Sequence, residues 1–186
     1  DNRIACVDAF PMGINYSLYH DAILNPDVQK KAIELKENYG THKLILSVDR
    51  LDYSKGILHR LKGFALFLER HPEYKERVSL AMIIVPSRDK VDRYAGLKTK
   101  IDESIGAING KYSTINWTPV YYFYHSFDFE ELVAMYHIAD IAMVTPLRDG
   151  MNLVAKEYLA AKRDNPGVLI LSEMAGAAIE LGEAII

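Results

Sequence analysis

Leu44-Ile45-Leu46-Ser47-Val48, then Asp49-Arg50-Leu51-Asp52-Tyr53-Ser54-Lys55-Gly56, then Ile57 to His71, is the stretch on which the fold turns. The first run is short and almost wholly apolar, with β-branched Ile45 and Val48, and reads as a buried strand. The last run repeats Ile57, Leu61, Phe64, Ala65 and Leu68 at helical spacing. A strand, a polar loop and a helix in that order open a βαβ unit.

The same alternation continues along the chain. Leu80 to Val85 is a second strand, closed by Pro86-Ser87, and Asp89 to Ile108 reads as a helix that stops at Asn109-Gly110. Val120 to Tyr124 favours a strand, and Asp128 caps a helix running through His137. Ile141 to Val144 is a strand, Asn152 to Lys162 a helix, and Val168 to Leu171 a strand after Asn165-Pro166-Gly167. Short apolar strands alternating with helices predict an α/β fold with a doubly wound parallel sheet. Such sheets bind ligands beyond the carboxyl ends of their strands.

Residues 1–40 read differently. Pro11, Gly13 and Pro26 punctuate a lead-in that reaches a helix near Asp27 to Tyr39, so 1–40 is expected to come from a preceding domain and 41–186 to be the ligand-binding domain. The chain starts at Asp1 without methionine and stops inside the apolar Ala184-Ile185-Ile186, which is the expected look of a chain truncated at both ends.

Composition narrows the function. A net charge of -3, with Arg60, Lys62, Glu69 and Arg70 interspersed rather than clustered, argues against a nucleic-acid partner, because phosphate backbones demand a basic surface. The single cysteine, Cys6, forms no internal disulfide, and no Cys, His or carboxylate group has the spacing of a metal site. No apolar run approaches a membrane span and no signal-peptide layout opens the chain, so a soluble cytoplasmic protein is expected.

The loops after strands are where chemistry is expected. Arg50 and Lys55 put a guanidinium fork and an ammonium point charge beyond the first strand, a suitable pair for phosphate oxygens, with Gly56 letting backbone come close. The same two cations also read as a solvated pair bridged to Asp49 or Asp52. Thr145-Pro146-Leu147-Arg148-Asp149-Gly150-Met151-Asn152 leads into Leu153-Val154-Ala155-Lys156-Glu157. Free amides at that helix start attract anions. Asp149 can accept from sugar hydroxyls and Glu157 from a ribose diol, although an Asp-Gly turn with Asn152 as helix cap accounts for part of the same pattern. In the third loop Ser87 or Asp89 reads as a helix cap and Arg88 as an exposed charge. His125 sits where a pocket would open, and Trp117 with Tyr121, Tyr122, Phe123 and Tyr124 is expected in the core.

Ser47 to Gly56 and Thr145 to Tyr158 closely resemble the corresponding motifs of UDP-forming trehalose-6-phosphate synthases. So do Ile108-Asn109-Gly110-Lys111-Tyr112, Trp117-Thr118-Pro119-Val120-Tyr121-Tyr122, Asn165-Pro166-Gly167-Val168-Leu169 and Phe10-Pro11-Met12-Gly13-Ile14. The resemblance spans essentially the whole chain. It implies the C-terminal, Rossmann-like donor-binding half of a GT-B glycosyltransferase. The implied reaction moves glucose from UDP-glucose to glucose 6-phosphate with retention, giving trehalose 6-phosphate and UDP, with no cofactor and no metal.

By the same resemblance, Arg50 and Lys55 are catalytic and neutralise the diphosphate. Asp149 with the backbone of Gly150, Met151 and Asn152 holds the donor glucose. The amides of Leu153 and Val154 meet phosphate, Glu157 takes the ribose, and Arg88 reaches the acceptor phosphate. The acceptor pocket belongs to an N-terminal domain this sequence does not contain. The chain alone is therefore expected to bind UDP-glucose without turnover and, with one face uncovered, to self-associate. Two alternatives stand: a related GT-B transferase or pseudo-transferase with another acceptor, such as glycerol phosphate or a cyclitol, and a non-catalytic nucleotide-sugar-binding module.

Overall fold

The computed structural model describes residues 4–8, 10–40, 42–87 and 92–186. Among the described residues five strands form one all-parallel sheet: β1 (Lys43–Arg50), β2 (Val78–Val85), β3 (Val120–Phe123), β4 (Ile141–Val144) and β5 (Val168–Leu171), in the spatial order β3-β2-β1-β4-β5. The helices among the described residues are α1 (Tyr16–Ala22), α2 (Pro26–Tyr39), α3 (Ile57–Arg70), α4 (Asp92–Tyr112), α5 (Phe129–Ile138) and α6 (Leu153–Ala161). The expected doubly wound α/β sheet is present.

Alternation along the strands sorts side chains into two layers. Leu44 and Leu46 of β1, with Ala81 and Ile83 of β2, face a core built from α2, α5 and α6. Ile45, with Leu80, Met82 and Ile84, faces the opposite core, filled by Ile57, Leu61, Phe64 and Leu68 of α3 and by Leu97, Ile101 and Ile105 of α4. A strand buried on both sides has no polar face, which is why β1 and β2 read as continuous apolar runs.

Val28, Ala32 and Tyr39 of α2 belong to the same core as α5, so the helix expected in the lead-in is physically a layer of this domain. Helix α1 is not expected from the sequence. It is seven residues long, buries none of them, and is started by Asn15, whose Oδ1 accepts from the Leu18 amide at 3.3 Å. The expected stop of α4 at Asn109-Gly110 is corrected too, since the helix continues to Tyr112. Asn109 is spent on tertiary structure instead. Its Nδ2 donates to the Val120 carbonyl at 2.9 Å and its Oδ1 accepts from the Val120 amide at 3.0 Å, fixing α4 to β3. The expected start of that helix at Asp89 lies outside the described residues. Trp117 is buried as expected, its indole N–H donating to Ser79 Oγ at 2.9 Å. Near the end of the chain, Ile185 bridges Ile170 in parallel beside β5.

Tyr39, Tyr136 and Tyr158 are buried, and burial pushes each phenol well above the usual tyrosine range. A raised folded-state pKa stabilises at pH below 10 and is lost above it, because the unfolded chain ionises first. The unfolding free energy is therefore expected to fall by at least about 1 kcal/mol between pH 10 and pH 11. Chemical denaturation at the two pH values checks this, and a flat profile would contradict it.

Candidate functional site

Strand order reverses direction between β1 and β4: the chain moves outward from β1 to β2 and β3, then crosses back to β4. Loops leaving the two central strands part at that point and open a crevice. Here the crevice is a cleft of about 320 Å3 lined by Val48, Asp49, Arg50, Lys55, Val85, Asp149, Met151, Asn152, Leu153 and Val154. A larger groove of about 760 Å3 lies on the flank of the sheet beside α3. Its walls are mainly apolar, among them Phe64, Phe67, Ile141 and Met143, and of the cations that also line it, Lys43 is paired with Asp140 and Arg60 with Asp49.

The two cleft loops are tied to each other. Gly56 adopts φ 67°, and a Cβ there would stand 2.5 Å from the Thr145 carbonyl oxygen, so this position needs glycine both for its backbone and for its neighbour. The Ser54 carbonyl accepts from the amides of Leu147 and Arg148 at 2.7 and 3.3 Å. Lys55 Nζ meets Asp149 Oδ2 at 2.5 Å with both side chains largely buried. Burial pushes the Asp149 carboxyl up, but the Lys55 ammonium and bonds from Met151 and Asn152 outweigh it and hold the group below the usual carboxylate range. The bridge from Lys55 to Asp49 or Asp52 does not form. Asp49 pairs with Arg60, and Asp52 accepts from the Ser54 amide at 2.8 Å to cap a short 3-10 turn.

Asn152 caps α6 from the left-handed region, φ 67°, which asparagine tolerates better than most residues. Its Oδ1 accepts from the Ala155 amide at 3.2 Å while its Nδ2 donates to Asp149 Oδ2 at 3.1 Å. The amides of Leu153 and Val154 have no carbonyl one turn back inside the helix, and both residues line the cleft. Aligned peptide dipoles add roughly half a positive charge at that end. The cleft thus faces an incoming anion with Arg50, Lys55 and a helix start, beside the Asp149 carboxylate fixed in orientation, while Asp49, the other carboxylate of the lining, is paired with Arg60.

Arg50, Lys55, Asp149, Met151, Asn152, Leu153 and Val154 are therefore brought together as expected. Glu157 is half-buried one turn further along α6, where its Oε2 accepts from the Tyr136 hydroxyl at 2.9 Å. Arg88, expected at the acceptor phosphate, lies outside the described residues. His125 is exposed, stacks on Phe127 at 5.1 Å between centroids, and does not line the cleft. Gly150 has open space where a Cβ would go. The glycine this loop requires is Gly176, whose added Cβ would stand 2.1 Å from the Gly150 carbonyl oxygen. Gly176 donates its amide to the Asp149 carbonyl at 2.9 Å and so docks the loop.

Arg60 is the main residue missed from sequence. Its side chain is fully buried, and its Nη1 donates to both Asp49 and Ser47. Its Nη2 donates to the Lys55 carbonyl at 2.8 Å and its Nε to Thr145 Oγ1 at 3.1 Å. One guanidinium thereby holds both cleft loops. The available signal was its place on the apolar stripe of α3, three residues after Ile57 and four before Phe64.

Known proteins carry the same architecture. The bifunctional trehalose-6-phosphate synthase/phosphatase of Thermoproteus tenax is 46% identical over 185 residues, covering 100% of this chain and 25% of that protein. The 56 kDa subunit of the UDP-forming α,α-trehalose-phosphate synthase of Saccharomyces cerevisiae is 42% identical over 184 residues, 99% of this chain and 37% of its own length. The chain thus spans between a quarter and two fifths of these relatives. Among solved structures, the UDP-forming α,α-trehalose-phosphate synthase of Burkholderia xenovorans in complex with glucose-6-phosphate superposes with a TM-score of 0.91 at 39% identity, over 96% of this chain and 39% of that one. A structure from E. coli bound with UDP-2-fluoro glucose gives 0.88 at 41% identity, over 94% and 39%. The sequence model of glycosyltransferase family 20 matches residues 1–186, and the chain belongs to that family.

Proposed function

We propose that this chain forms the donor site of a retaining hexosyltransferase that moves glucose from UDP-glucose to glucose 6-phosphate, giving trehalose 6-phosphate and UDP. The observation that carries the reading is the strand-end cleft, where Arg50, Lys55 and the α6 amides converge beside Asp149. Support comes from the relatives, among them the UDP-forming synthase subunit of Saccharomyces cerevisiae, and from solved neighbours bound with glucose-6-phosphate and with UDP-2-fluoro glucose.

In this reading the bond between the anomeric carbon and the diphosphate oxygen breaks, and negative charge grows on the departing UDP. Lys55, Arg50 and the amides of Leu153 and Val154 stabilise that charge more strongly as it develops than before. They supply the role that a divalent cation plays elsewhere, so the reaction is proposed to need no metal. Asp149, with the backbone of Gly150, Met151 and Asn152, orients the donor glucose, and Glu157 accepts from the ribose. Arg88 is proposed to reach the acceptor phosphate. This chain alone then binds UDP-glucose without turnover, because the acceptor side is proposed to come from another part of a longer protein.

Calorimetric titration of this chain with UDP tests the reading. Saturable binding is expected, weakened about tenfold or more by Arg50→Ala, in line with the loss of a charge-assisted hydrogen bond. Absence of saturable binding, or an Arg50→Ala variant that binds like the parent, would refute the donor site. Trehalose 6-phosphate formed by this chain alone would refute its dependence on another domain.

A further inference from the structure

Tyr136 and Tyr158 are both almost wholly inaccessible to solvent and lie edge to face, with ring centroids 6.4 Å apart. A buried hydroxyl needs a partner. Tyr158 finds backbone, its hydroxyl 3.3 Å from the carbonyls of Ala139 and Asp140. Tyr136 instead donates to an ionisable side chain, Glu157 Oε2, at 2.9 Å. Glu157 sits on α6 three residues after Val154, so it continues the face that lines the cleft. Tyr19 of α1 stands against the same carboxylate. Burial, with the charge and hydrogen bonding of Glu157, pushes its phenol up to about 12.

A glutamate has three side-chain torsions, and a surface glutamate samples many rotamers. A carboxylate meant to accept two vicinal hydroxyls must present one edge in one orientation. It has about four acceptor sites in total. Phenols bonded on the protein side fix the rotamer, occupy sites a ligand does not need, and leave the remaining edge of the carboxylate for the diol.

We infer that Tyr136 is a positioning residue for ribose recognition, holding Glu157 through its phenol so that the chain distinguishes ribonucleotides from deoxyribonucleotides, with Tyr19 as a second support. This rests on the reading of Glu157 as the ribose ligand. It predicts that the hydroxyl of Tyr136, which itself touches no ligand, sets a preference measured entirely on the nucleotide.

The test is calorimetric titration of this chain with UDP and with 2′-deoxy-UDP, for the parent, Glu157→Gln, Tyr136→Phe and Tyr19→Phe. The parent is expected to favour UDP by about tenfold or more, the size of a hydrogen bond to a charged group. Tyr136→Phe is expected to cut that ratio at least threefold by weakening UDP, with 2′-deoxy-UDP unchanged within about twofold. A merely structural role weakens both nucleotides alike and overturns the inference, as does an unchanged ratio. A parent that shows no preference, or a Glu157→Gln variant that keeps it, overturns the ribose reading and the inference with it. A preference lost in Glu157→Gln but kept in Tyr136→Phe removes the positioning role alone. If Tyr136→Phe does not fold, the half-buried Tyr19→Phe carries the test: a narrowed ratio supports the inference and an unchanged one overturns it.

Discussion

Lys55→Ala, in a protein of the relatives' length, is expected to lower turnover by about 10²-fold or more, as the loss of one preorganised donor to a developing oxyanion does elsewhere. The physical basis is the position of the ammonium. It is largely buried, 2.5 Å from Asp149, at the mouth of a crevice whose other walls carry Arg50 and the α6 amides. Away from bulk solvent a charge interacts several times more strongly than in water. In the proposed reaction an ammonium already oriented by Asp149 needs little reorganisation as the diphosphate departs.

The substitution also strips Asp149 of the main partner that holds its carboxyl low, leaving only the bonds from Met151 and Asn152 against burial, so the group rises. In the proposed reaction two effects therefore add: a lost cation for the leaving group and a donor-orienting carboxylate more easily protonated. The readout is a kcat that falls further than KM rises, because the lost interaction is strongest in the transition state. Steady-state rates with UDP-glucose and glucose 6-phosphate measure it. A kcat within a few-fold of the parent would remove Lys55 from the catalytic machinery.

How far the sequence leads depends on whether a feature is local. Strands β4 and β5 lie where their apolar runs place them, and Asn152 caps α6 as its position before Leu153 suggests, because both are decided by neighbours in the chain. The crevice is legible too, since short parallel strands oblige loops to gather at one end of the sheet. Helix α1 was hidden because a seven-residue helix that buries none of its residues fully is too short to show a periodicity. Pairing of Lys55 with Asp149 was hidden because 94 residues separate them, and the nearer Asp49 and Asp52 are equally plausible by spacing. Gly150 stands in the Asp-Gly turn that the sequence suggests, yet the tight approach is made to its carbonyl by Gly176, which only the packed loops reveal.

Arg60 makes the same point with the largest expected effect on stability. Arg60→Met is expected to cost about 3–5 kcal/mol, the range for removing one partner of a buried ion pair. Methionine fills a similar volume, so the penalty is not a cavity. It is the stranded partner: Asp49 has its side chain 4% exposed, and burial already pushes its carboxyl upward against the pull of Arg60. Asp49 must then take up a proton or draw in water. Ser47, the Lys55 carbonyl and Thr145 lose their donor at the same moment, so the two cleft loops lose their shared anchor.

The double variant Arg60→Met with Asp49→Asn separates these causes. If the stranded charge dominates, removing it restores a substantial part of the loss, and the cycle gives a coupling energy well above that of independent sites. If the lost anchoring dominates, the double variant stays as unstable as Arg60→Met. Denaturant unfolding of the parent, both single variants and the double decides between them. A loss below about 1 kcal/mol for Arg60→Met would mean the guanidinium is a bystander. The loops that carry Lys55 and Thr145 would then be held by the close approach at Gly56, the Ser54 carbonyl and the Lys55–Asp149 pair.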